Sequence, residues 1–238
     1  MCLGFWLALS GVARADIFTI NPLQSVLTIS AASFQGTAGT PQPPSGFTTS
    51  YSGTINATVT GMSIQFNSAA ADANVSGNYQ PAAGGAAGMA PGDYGGQFLI
   101  AGIFPGFFAV RDLVASLSSG SLPLTGGTYD ASQLLFTGIG GSADYNVAVL
   151  GLMGSIPLAG NSAMNAAVTP GSIAIVGGVQ TLTIPIDVTL LFTAVNPNDS
   201  MIRLTGNIVA TAVPEPATYM LFGIGLLACA QRFRRRKK

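Results

Sequence analysis

The chain has 238 residues and a formal charge of zero, but that zero averages two unlike parts. Six of its nine Lys and Arg crowd into the last seven residues, whereas positions 16–212 hold eight Asp, two Arg and no Lys, a charge of about −6. A stretch so acidic has no basic footprint for nucleic acid. Without His, Lys or Cys it also lacks the usual general bases, nucleophiles and zinc ligands.

Residues 1–15 open with an apolar stretch from Leu3 to Leu9. Ala13, Arg14 and Ala15 then form a small-x-small pattern before Asp16, as at the end of a secretory signal peptide. No positive residue precedes the apolar stretch, which fits either a start codon set too far downstream or a weak signal. Cys2 and Cys229 both fall outside positions 16–212, so cysteine usage is neutral on the redox compartment. Positions 16–212 suffice for one good-sized core, and a second domain is not required.

This middle segment is rich in Gly, Thr, Ser, Val and Ile, which favours strands joined by turns over exposed helices. Residues 17–30 predict a strand that breaks near Asn21 and Pro22 and resumes at Ser25. Residues 36–50, with Pro, Gly, Ser and Thr, predict a loop. From Thr54 to Thr60 the pattern alternates, with Ile55, Ala57 and Val59 on one face. The apolar phase then shifts to Met62, Ile64 and Phe66, which predicts a tight turn or bulge at Gly61. Residues 76–97 contain a Pro/Gly/Ala run and predict a flexible surface loop. A P-loop would need a following Lys, which is missing. Residues 98–110 are strongly apolar and broken by Pro105 and Gly106, as two strands or as a strand and a short helix. Shorter strands are expected at 113–117, 133–137, 145–153 and 172–176.

The clearest periodicity lies at residues 181–193, where Leu182, Ile184, Ile186, Val188, Leu190 and Phe192 alternate with mostly polar neighbours. A turn over residues 196–199 leads to Ile202, Leu204 and Ile208, alternating with Arg203, Thr205 and Asn207. This predicts a long antiparallel hairpin with one buried face, whose first strand spans roughly 40 Å. Pro185 falls on the wet face and predicts an edge or a bulge there. The fold class expected is therefore all-β, an antiparallel sandwich or barrel-like domain.

For metals, Asp72, Asn74, Ser76 and Asn78 present oxygens at every second position, as in a calcium loop, but the closing bidentate Glu is missing. Asx turns account for such residues more simply. No Asp pair falls in a recognisable motif, so the sequence predicts no catalytic residue, no metal and no cofactor.

Residues 213–238 divide into three parts. Val213, Pro214, Glu215 and Pro216 form a stiff segment in which proline fixes φ and removes amide donors. An uncharged run from Ala217 to Ala230 follows, with Leu221, Phe222, Ile224, Leu226 and Leu227 as its membrane-anchoring side chains. Last come Arg232, Arg234, Arg235, Arg236, Lys237 and Lys238, which resist translocation and set the topology. Fourteen helical residues reach about 21 Å against a hydrocarbon core of about 30 Å, so this single transmembrane helix is a marginal anchor suited to a temporary hold.

The order Val-Pro-Glu-Pro-Ala-Thr, a Gly/Leu/Ala-rich run and terminal arginines resembles the PEP-CTERM sorting domain of exported bacterial proteins. That resemblance implies processing by an exosortase, a multi-spanning membrane enzyme whose systems accompany exopolysaccharide production. It also implies Pro214, Glu215 and Pro216 as the recognition element. The expectation is a non-catalytic exported protein of the cell surface or extracellular matrix. It is held in the inner membrane with its C-terminus in the cytoplasm while in transit, and its partners are the exosortase-like enzyme, the membrane and exopolysaccharide. An alternative comes from Phe18, Thr19, Ile20, Asn21 and Pro22 with the strand after them. That opening resembles YceI-like barrels and implies a carrier of a lipid or isoprenoid inside a cavity lined by Leu182, Ile184, Ile186 and Val188.

Overall fold

A computed structural model describes residues 14–43, 45–193 and 199–212 of the chain. Most of the expected signal peptide, part of the 196–199 turn and the whole of 213–238 lie outside these described residues. The strands within them are, in order, β1 (Arg14–Ile20), β2 (Val26–Phe34), β3 (Thr37–Pro41), β4 (Thr48–Val59), β5 (Ser63–Ala73), β6 (Gly77–Tyr79), β7 (Ala90–Gly92), β8 (Tyr94–Ile100) and β9 (Phe104–Ser118). They continue with β10 (Ser121–Pro123), β11 (Thr128–Tyr129), β12 (Leu135–Val147), β13 (Leu152–Pro157), β14 (Ser162–Met164), β15 (Gly171–Val176), β16 (Val179–Phe192) and β17 (Ser200–Ala212). Every pairing is antiparallel, and among the described residues no helix is long and apolar enough to cross a membrane. The all-β expectation holds.

The sheet curls until it meets itself. β5, β9, β8, β3, β2 and β4 form a ring of hydrogen-bonded neighbours, and β17, β16 and β15 extend from β2, while β12 extends from β9. Side chains facing inward make one continuous cluster that includes Phe18, Leu27, Ile55, Phe66, Leu117 and Phe136, all at most 1% exposed. Burying side chains of this size contributes about 1.5–3 kcal/mol each.

The expected hairpin is β16–β17, paired from Gln180↔Ala212 to Phe192↔Ser200. Its predicted inward residues, Leu182, Ile184, Ile186, Val188, Leu190, Ile202, Leu204 and Ile208, are all buried in the core. The four that a carrier cavity would require are thus packed against other side chains. Pro185 departs from expectation, because it is buried rather than wet. β15 ends its pairing at Thr183, and beyond that point Asn165 takes over the edge of β16. Its Nδ2 donates to Pro185 O at 2.8 Å and to Ala131 O at 2.9 Å, and its Oδ1 accepts from Asp187 N at 2.7 Å. The proline therefore sits where no strand partner asks for its missing donor.

The broken strand is also real. β1 and β2 lie end to end between β4 and β17, with residues 21–25 as the jog. There the Ser25 hydroxyl donates to Val209 O at 3.0 Å and accepts from Val209 N at 2.9 Å, standing in for the lost ladder. At Gly61 the chain makes the tight turn of the β4–β5 hairpin, closed by Thr60 N donating to Ser63 O at 2.8 Å. β1 begins at Arg14, so the backbone of Arg14 and Ala15 pairs with Val59 and Thr58.

Three expectations are corrected. Residues 36–50 are not all loop, since β3 bridges β2 and β8. Pro105 and Gly106 do not break a strand: both lie inside β9, and the β8–β9 turn falls at residues 101–103. The stretch 76–97 is not a free loop but folds into the β6–β7 ribbon followed by β8, with Tyr79 and Tyr94 buried.

Candidate functional site

The folded ribbon owes its place to one cation. Arg111, on β9, is 6% exposed and spends its guanidinium on that segment. Its Nη1 donates to Ala90 O at 3.0 Å and to Pro91 O, and its Nη2 donates to Tyr79 O at 3.2 Å and to Pro81 O. Its Nε bonds Asp144 Oδ2 on β12 at 2.9 Å, so the charge is paired as well as hydrogen-bonded. Gln42 adds a second clamp, with Nε2 donating to Gln80 O, Gly96 O and Phe108 O while its Oε1 accepts from Gln80 N.

Next to Arg111 the β9 backbone bulges. Asp112 sits at φ +50°, opposite Gly141 at φ +95°, and the β9–β12 register shifts there. A Cβ on Gly141 would come within 2.7 Å of Asp112 O, so only glycine allows the strands this close. Asp93 takes up the neighbouring amide, its Oδ2 accepting from Leu113 N at 2.8 Å. Burial pushes its carboxyl up to about 6, against the opposing Leu113 N–H bond, with Asp112 and Asp72 adding to the rise and Arg111 countering it.

Asp72 and Asp112 thus both act on Asp93, a grouping that sequence reasoning missed because 40 residues separate Asp72 from Asp112. Its one advance signal is that Arg111 is one of only two cations between positions 16 and 212. Among the described residues no group of three or more His, Cys, Asp or Glu could hold a metal ion. Two of the four suspected calcium residues are engaged elsewhere: Asn74 bonds Ser50 and Ser52, and Ser76 bonds Tyr79 and Asp93 O. The other cation, Arg203, grips Asp187 across the exposed face of β16–β17 at 2.6 and 2.7 Å, which holds that carboxyl below its usual range.

The predicted sorting residues, from Val213 to Lys238, lie outside the described residues. What the structure does place is their point of departure. Ala212 ends β17, pairs with Gln180 and is 6% exposed. β17 is an inner strand, flanked by β16 on one side and by β1 and β2 on the other. Beside its end lie the β15–β16 turn, the start of β1 and, further along, the β4–β5 turn.

The PEP-CTERM protein-sorting motif is matched over residues 212–237, so it starts at the last residue of β17. No curated protein and no solved structure matches the chain. The motif marks export with a C-terminal sorting signal and processing by an exosortase, a membrane enzyme.

Proposed function

We propose that this chain is a non-catalytic exported β-domain parked in the inner membrane by residues 213–238, with its basic end in the cytoplasm, until an exosortase-like enzyme processes the tail. Delivery is to the cell surface or extracellular matrix, with exopolysaccharide as a neighbour. The observation that carries the reading is the match of residues 212–237 to the sorting motif, joined without a linker to an inner strand of a packed domain. In the sequence the proline segment follows directly on Ala212, the last residue of β17. A non-catalytic role is supported by the use of the buried charges: Asp144 pairs with Arg111 and Asp93 holds a bulge amide.

The test replaces Pro214, Glu215 and Pro216 with Ala in a host that carries an exosortase. The variant should accumulate in the membrane fraction with its tail intact, while the parent is trimmed and released. Equal trimming of both would remove the proposed recognition element.

A further inference from the structure

The chain beyond Ala212 has little slack. Only four residues lie between Ala212 and Ala217, where the apolar run begins, and the five Cα steps reach at most about 18 Å. In the same direction β1 runs on from Phe18, beside the end of β17, to Arg14, about 13 Å at 3.3 Å per residue. The β4–β5 turn lies just beyond Arg14, which pairs with Val59. An anchor entering a bilayer at Ala217 therefore draws this end of the domain down to the headgroups.

The composition of that end suits the approach. At the β4–β5 turn Met62 is 82% exposed, and at the β15–β16 turn Val176 is 76% exposed with Ile175 beside it at 67%. Residues 60–63 and 176–179 carry no charge, although the domain holds eight Asp. Asp16, near the same end on β1, is buried. An acidic domain meeting an anionic membrane is repelled wherever its carboxylates face the lipid, and here the two turns offer apolar tips instead.

We propose that the turns bearing Met62 and Val176 form a membrane-contacting end, seated on the phospholipid surface while the tail anchor is inserted. The inference rests on the anchor reading given above. The two tips together offer only Met62, Val176 and Ile175 to the lipid, so the contact orients the domain without holding it once the tail is cut.

The test uses the full-length chain with Cys2 and Cys229 replaced by Ala, and a fluorophore on Met62→Cys or on Ile103→Cys. Ile103 is an equally prominent apolar turn residue, 72% exposed, in the β8–β9 turn at the opposite end. Each is reconstituted into vesicles of phosphatidylethanolamine and phosphatidylglycerol containing headgroup-nitroxide lipid. The expected result is that the chain floats with the vesicles and that the probe at 62 is quenched several-fold more than the probe at 103. Flotation with equal quenching overturns the seated end and leaves the anchor standing. Failure to float overturns both.

Discussion

The β16–β17 hairpin and the β6–β7 ribbon are both folded, yet they are held by different forces. The hairpin buries an apolar side chain at every second position, and its cohesion is spread over Leu182, Ile184, Ile186, Val188 and their neighbours. The ribbon has few large apolar groups, Tyr79 apart, and depends on the donors of Arg111 for four of its carbonyls. Distributed packing weakens by increments when a residue is lost, whereas a cation-centred network has one point of failure.

The sharpest way to break that contrast is Arg111→Ala. It strands the Asp144 carboxylate and the carbonyls of Tyr79, Pro81, Ala90 and Pro91, for an expected loss of about 3–5 kcal/mol in urea unfolding. Limited proteolysis should then cut first within residues 80–91. Uncut residues 80–91 would show that the cation does not hold the ribbon. In the hairpin, Ile184→Ala should cost about 3 kcal/mol, with proteolysis spread over the domain and not focused on one segment.

Legibility follows the same divide. Alternation is a local signal, so the hairpin, the jog before Ser25 and the turn at Gly61 can all be read from neighbouring residues. The ribbon cannot, because the Arg111 that holds it reaches it from a strand 20 to 32 residues away while its own Pro, Gly and Ala resemble a loop. Continuity of β9 through Pro105 and Gly106 is hidden for a related reason. β12 pairs only as far as Phe107, so Pro105 lacks no partner on that side, and the Phe98 ring occupies the space a Gly106 side chain would need. The sorting segment is readable without any fold, since its three parts are linear. The Asp72, Asp93 and Asp112 grouping is the reverse case, created entirely by the fold.

The smallest expected effect concerns Asp93. Its folded-state pKa of about 6 lies above the ordinary value of 3.8, so the native domain holds this proton more tightly than the unfolded chain does. This group therefore lowers stability as pH rises from about 4 to about 6 and adds no further slope above that. Urea midpoints across this range should decline less in Asp93→Asn than in the parent. Identical slopes would place the proton elsewhere.

The central claim is that residues 213–238 park an exported domain and are then processed. The most direct measurement is the intact mass of the cell-bound and released forms made in the native host. The released form should end near Pro214, Glu215 and Pro216, without the apolar run and the basic end. A surface or secreted form whose mass still includes Lys238 would contradict the claim.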